Sequence, residues 1–93
     1  MSTAYLRDPA DAVDACALDD LTLLFHRRSG QTHMVISPVP EILACFADSA
    51  PRDAEAVHAS LSIDYDLGDR VAALAEIAAH LDALALLGLV RPA

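Results

Sequence analysis

The chain has 93 residues, and a domain of that size buries only about 60 to 70 % of the surface its unfolded chain exposes, which leaves little room for a deep active site. Hydrophobic residues make up 55 % of it, but 19 residues are Ala and 14 are Leu against 4 aromatics, so the core is expected to be thin, helical and Leu-dominated. Six Arg, no Lys and 14 acids give a net charge of −8, which excludes nucleic acid or an anionic membrane surface as a partner held mainly by phosphate contacts.

The first nine residues, Met-Ser-Thr-Ala-Tyr-Leu-Arg-Asp-Pro, have neither a basic start followed by an apolar stretch nor a cleavage-like site. The longest uncharged apolar run, 83–90, is 8 residues, where a bilayer needs about 20. A soluble, cytoplasmic protein of one domain, 1–93, is the expectation. Residues 1–12 carry Asp8, Pro9 and Asp11 without a clear period and read as a loosely held lead-in, with a short extended piece at 4–7.

Val13–Leu18 is a short apolar run, Asp19-Asp20 is a turn signal, and 22–26 (Thr-Leu-Leu-Phe-His) is rich in strand formers. After Arg27-Arg28-Ser29-Gly30 a second such run follows at 32–36, and Gly30 takes φ > 0 without steric cost, so Arg-Ser-Gly reads as a hairpin connection. Its register is open. A two-residue loop pairs His26 with His33, whereas a three-residue loop with a bulge at Gly30 pairs Phe25 with His33.

Ser37-Pro38 predicts a helix start, with the hydroxyl as cap and Pro in the first turn. Val39, Ile42, Leu43 and Phe46 then make one apolar stripe up to a stop near Ala47. Asp53 caps a second, shorter helix to about Leu61, with Val57 and Leu61 inward. The third begins at 66–69 and runs to Leu87, with Val71, Leu74, Ile77 or Ala78, Leu81 and Leu84 inward and Gly88 as its stop. Leu89-Val90-Arg91 is expected to extend and pack back on the sheet. Three antiparallel strands followed by three helices suit a small α+β domain of winged helix-turn-helix type.

Cys16 and Cys45 lie in no C-x-x-C or Cys/His cluster and read as reduced thiols used for packing. No Ser occupies a G-x-S-x-G elbow, no glycine-rich phosphate loop exists, and Asp19-Asp20 and Asp64-Tyr65-Asp66 look like turn and cap chemistry. Neither an enzyme nor a bound cofactor is expected. A metal site on His26 and His33 needs further ligands from His58, His80 or a cysteine on distant elements, so no metal is expected either. A recognition helix presents Arg, Lys, Asn or Gln to a major groove, and the third helix offers Arg70, Glu76 and a run of Ala instead. Its Ala72, Ala73, Ala75, Ala79 and Ala83 make it smooth on more than its core face. Such side chains let another backbone approach, and the edge of a short sheet offers unpaired N–H and C=O groups to an incoming strand.

Phe25, the Arg28-Ser29-Gly30 turn, Thr32-His33, Ser37-Pro38 and the closing Leu81, Leu84, Leu87-Gly88-Leu89-Val90 together resemble the PqqD-like peptide chaperones. The Ser-Gly-x-Thr-His hairpin looks most like the branch named after its neighbourhood with a kinase related to HPr kinase, and the likeness covers 12–90. The resemblance implies a winged-helix recognition element that binds the leader segment of a precursor peptide as an added strand and presents it to a modifying enzyme or to the HPr-kinase-related partner. By position, the strand edge is Thr32, His33, Met34, Val35 and Ile36, faced by outward residues Arg70, Ala73, Ile77 and His80 of the third helix. The competing readings are a small winged-helix DNA-binding regulator and a structural subunit of the kinase-like partner.

Charge along the chain fits capture of an acidic peptide. Between Leu21 and Pro40 lie Arg27, Arg28, His26 and His33 and no acid, so the implied binding strand sits in the one non-acidic segment. Arg27 and Arg28 are placed to steer such a peptide in.

Overall fold

Strand-forming runs on either side of two tight turns build one antiparallel sheet. The structure, a computed structural model, describes residues 3–9 and 12–93; Met1, Ser2, Ala10 and Asp11 of the expected lead-in lie outside them. Strand β1 (Tyr5–Leu6) is followed by β2 (Val13–Leu18), β3 (Leu21–His26) and β4 (Gln31–Ile36), then helices α1 (Val39–Ala44), α2 (Ala54–Leu61) and α3 (Arg70–Leu86), and a last strand β5 (Arg91–Pro92). Strands β2, β3 and β4 form a meander in that order, so β2 and β4 are its two edges. The α+β architecture is the one expected, with a three-stranded antiparallel sheet and three helices after it.

The β3–β4 hairpin takes neither expected register. Four residues, Arg27 to Gly30, make the connection, and His26 faces Gln31, Phe25 faces Thr32 and Leu24 faces His33. The Ser29 side chain explains the longer loop. Its Oγ lies 2.7 Å from His26 Nδ1 and accepts from the Gln31 amide at 3.2 Å, while Gly30, at φ 73°, donates its N–H to the His26 carbonyl at 2.9 Å. His26 and His33 are therefore diagonal neighbours on one face rather than a facing pair.

Both long helices begin on an aspartate cap. Asp53 accepts from the Ala56 amide and Asp69 from the Ala72 amide, each at 2.9 Å, which satisfies one of the free N–H groups at each helix start. At the other end of α3, Leu89 donates to the Leu84 carbonyl and Gly88, at φ 77°, to that of Ala85, the paired bonds of a Schellman stop. Helix α1 departs from expectation. Pro38 occupies the cap position, the Ser37-Pro38 peptide is cis, and the Ser37 hydroxyl donates to Glu41 Oε2 instead of capping. The helix also ends at Ala44, its stripe carried to buried Phe46 by tighter i→i+3 bonds from Cys45, Phe46 and Ala47.

The core lies among the helices. Phe46, Ile42, Leu81, Leu89, Val57 and Val90 are its largest fully buried side chains, and the three-stranded sheet buries only Leu24 and His26. On α3 the inward residues are Ala73, Ile77, Leu81 and Leu84, with Leu74 half-buried. Val71, expected inward, is 76 % exposed, because the buried stripe is set by Ala73 and Ile77 one helical turn apart.

The lead-in is anchored rather than loose at Tyr5. This buried residue exchanges backbone hydrogen bonds with Arg52 at 2.8 Å in both directions, faces Pro92 of β5, and donates its hydroxyl to Asp82 Oδ1 of α3. The C-terminal tail accordingly packs differently from expectation. Leu89 and Val90 are buried, but Arg91–Pro92 pairs with β1 and not with the three-stranded sheet.

Candidate functional site

The ladder register sorts the sheet into two faces. Residues directly opposite one another share a face. Thr22, Leu24 and His26, with Val13 on β2 and His33 and Val35 on β4, turn toward the helices. The opposite face carries three rows: Leu18, Leu21 and Ile36; Cys16, Leu23 and Met34; Asp14, Phe25 and Thr32. Among the described residues Leu18, Phe25, Met34 and Ile36 of these rows are exposed, Met34 at 68 %.

Strand β4 is the edge that the sequence reading singled out. In an antiparallel ladder every second residue of an edge strand turns its N–H and C=O away from its neighbour, so β4 offers a row of free backbone groups. Thr32, Met34 and Ile36 are exposed on the outer face, while His33 and Val35 are half-buried on the inner one. The Nε2 of His33 is buried and has no hydrogen-bond partner.

A solved structure of TbiB1 in complex with the TbiA(beta) leader peptide matches this chain with a TM-score of 0.68, covering 91 % of this chain and 93 % of that one at 20 % identity. The chain shares its fold with TbiB1. No family model matches the sequence, and no curated protein does.

Within this TbiB1-like fold, the residues expected to line a groove divide into two groups. Thr32, His33, Met34, Val35 and Ile36 do form one edge strand. The four helix residues do not form one outward face: Ala73 and Ile77 are buried at 9 % and 5 % exposure, whereas Arg70 is exposed and His80 half-exposed. The spacing 70, 73, 77, 80 follows one helical stripe, and its middle is the core stripe itself. Arg70 instead approaches Glu55 of α2 at 3.8 Å, and His80 approaches Glu76 at 3.9 Å. The main packing partners of β4 are β3 and α1, and that of α3 is α2. The smooth character of α3 does survive, with Ala72, Ala75, Ala79 and Ala83 all exposed.

Arg27 is not a lone cation at the hairpin tip. It forms a two-pronged pair with Asp14 across the sheet, Nε to Oδ2 at 2.9 Å and Nη2 to Oδ1 at 2.7 Å. The hydrogen bonds from Arg27 hold the Asp14 carboxyl below its ordinary pKa and raise that of the guanidinium. Sequence distance hid this pairing, since Asp14 lies outside the acid-free segment and the β2–β3 register brings it opposite Phe25. Both cysteines are free thiols: Cys16 is exposed on the outer face, and burial pushes the Cys45 thiol up, away from ready thiolate chemistry. Among the described residues no three His, Cys, Asp or Glu side chains converge as a metal site, and no helix is long and apolar enough to cross a membrane.

Two features escaped the sequence reading. The Tyr5 anchor had a signal, an aromatic in the lead-in of a chain with only 4. The apolar outer face also had one, since Leu21, Leu23 and Phe25 alternate with Thr22, Leu24 and His26. Without a register, neither set could be assigned to a side.

Proposed function

We propose that the chain is a non-catalytic peptide-binding adaptor that captures the leader segment of a precursor peptide as a strand added to β4 and presents it to a modifying enzyme. The observation that carries this reading is the open edge at β4, made of Thr32, His33, Met34, Val35 and Ile36, in a fold shared with a protein solved in complex with a leader peptide. Strand addition supplies affinity through backbone bonds and specificity through alternate side chains. On β4 those are exposed Thr32, Met34 and Ile36 on one side and half-buried His33 and Val35 on the other. The PqqD-like resemblance supports the same reading and adds a finer one, a partner of the HPr-kinase-related class. The functional residues of α3 shift accordingly to its exposed side, with Arg70 and His80 retained and Ala73 and Ile77 assigned to the core.

The test is a titration of isotope-labelled protein with synthetic leader-peptide segments, the TbiA(beta) leader among them, followed by amide chemical shifts. Shifts concentrated at 32–36 are expected. Saturable binding with shifts confined elsewhere rules out the β4 edge, and the absence of binding to any leader segment removes the adaptor role.

A further inference from the structure

The sheet has a second edge at β2, and on its inner side a crevice of about 210 Å³ opens between the sheet and α1. Val13, Ala15 and Leu24 form one wall, and Pro40, Leu43 and Ala44 form the other. Small side chains keep it open. Ala15 stands opposite Leu24 in the β2–β3 ladder, and both Ala15 and Ala44 are too short to reach across the gap. The floor is the core itself, since Leu24 and Leu43 are buried at 3 % and 4 % exposure.

Two polar groups complete the lining, and the ladder sets them at opposite ends. Arg7 and Val13 also line the neighbouring cleft beside Pro9 and Ala12, which puts Arg7 at the start of β2, whereas Thr22 stands opposite Ala17. Arg7 is half-buried, and among the described residues its side chain has no hydrogen bond or ion pair. The acids around it are engaged elsewhere. Asp8 approaches Arg91 at 4.0 Å, and Asp48 bonds Arg52 through both of its oxygens. No carboxylate lines this crevice, although the clefts beside Asp19 and Asp20 and beside Asp64 carry them, in a chain with 14 acids.

An uncompensated guanidinium at the mouth of an apolar crevice selects an anion with an apolar body. We propose that this crevice binds a small apolar carboxylate, its charged end held by Arg7 and its hydrocarbon lying over Leu24 and Leu43 between β2 and α1. A guanidinium matches a carboxylate with two parallel hydrogen bonds, and its weak hydration suits it to an apolar surface. An apolar lining with a few placed polar groups is the usual composition of a ligand pocket. Volume sets the size. A cavity of about 150 Å³ holds benzene, so about 210 Å³ takes about eight non-hydrogen atoms. A free alkanoic acid and the C-terminal carboxylate of a peptide ending in an apolar residue share this chemistry. The site lies at the opposite edge of the sheet from β4, so it stands or falls apart from strand addition there.

Hexanoate and N-acetyl-leucine, titrated into the isotope-labelled full chain up to about 20 mM, test the site, with hexanol as the uncharged counterpart. Saturable amide shifts are expected at 13–15, 22–24 and 43–44. The hexanoate dissociation constant should be on the order of 1 mM, because so small a ligand carries little binding energy. Arg7→Gln should weaken hexanoate about tenfold and leave hexanol unchanged, which separates the charge from the apolar contact. Ala15→Leu, or Ala44→Leu from the other wall, fills the gap and should abolish binding of both. Circular dichroism confirms that each variant is folded. Tighter binding of N-acetyl-leucine than of hexanoate assigns the site to a peptide C-terminus, and the reverse order assigns it to a free acid. Shifts that are absent at the highest concentration, or confined to the outer face of the sheet, overturn the proposal. So does hexanoate binding that Arg7→Gln, or both leucine variants, leave intact.

Discussion

His33 stands opposite Leu24 in the β3–β4 ladder, and this single pairing decides which side chains of the edge strand face the helices and which face out. Since the side-chain period of a strand is two, moving the pairing by one residue would turn Met34 inward and Val35 outward. With the observed register, half-buried Val35 packs against the core cluster and Met34 belongs to the outer face.

The same alternation applies to the backbone. Of the adjacent N–H groups of Met34 and Val35, one bonds β3 and the other points away from the sheet. Met34→Pro and Val35→Pro therefore separate the two functions of β4. One variant loses a ladder bond and about 1 to 3 kcal/mol of stability. The other keeps its melting temperature and loses leader-peptide binding by about tenfold or more, because proline is tolerated at a free edge but cannot donate. Thermal melts followed by peptide titration check both halves. Two folded variants that bind peptide as tightly as the native chain would exclude strand addition at this edge.

Much of this fold was legible in the chain because local chemistry decides it. Asp53 and Asp69 sit where caps belong, Gly88 where a helix stops, and Val39, Ile42, Leu43 and Phe46 at helical spacing. The hairpin register was not legible, because it turns on the Ser29 hydroxyl bridging His26 and Gln31 inside a four-residue loop. Nor were the α3 positions 73 and 77. An Ala-rich helix gives a shallow hydrophobic contrast, so either of two neighbouring stripes can be read as the core face. The partner of Arg27 was not legible for a different reason, since Asp14 is brought to it by the sheet from 13 residues away.

Gly88→Ala isolates the cost of backbone strain at the end of α3. A Cβ built at Gly88 meets nothing within 4 Å, so packing does not oppose the change, whereas φ is 77°. An L-residue in the left-handed region costs about 1 to 2 kcal/mol, and that loss of unfolding free energy is expected here. Urea denaturation measures it. No loss would mean that the Leu89 to Leu84 bond survives with a different backbone at position 88.

Acid should weaken the tie between the α1–α2 connection and β1. The Arg52 side chain, with the Ala50 amide, holds the Asp48 carboxyl well below its ordinary value of 3.8, and the Arg52 backbone pairs with Tyr5. A carboxylate with a depressed native pKa contributes stability that is fully present above the unfolded value and is lost as pH falls through the native one. The contribution from Asp48, and that of Asp14 held down by Arg27, is thus constant near neutrality and fades below about pH 4. Asp48→Asn should lower the urea midpoint at neutral pH and leave a shallower acid limb than the native chain shows. An acid limb of unchanged slope would show that the ion pair contributes nothing to folding.

Asp14 also sets how strongly the hairpin tip attracts an acidic peptide. Its pair with Arg27 cancels one of the two positive charges there, at side-chain exposures of 55 % and 63 %. Removing the acid should expose that charge to an approaching leader, and removing the cations should do the opposite. Exposed rim charges act on encounter more than on the lifetime of a complex. Asp14→Asn is therefore expected to speed association with an acidic leader by about two- to fivefold at low salt, and Arg27→Ser with Arg28→Ser to slow it by a similar factor, with dissociation rates nearly unchanged. Stopped-flow mixing at two ionic strengths checks this, because the difference between the variants must shrink as salt screens it. Equal association rates for all three proteins at low salt would remove steering from the role of this turn and leave Arg27 as the partner of Asp14 alone.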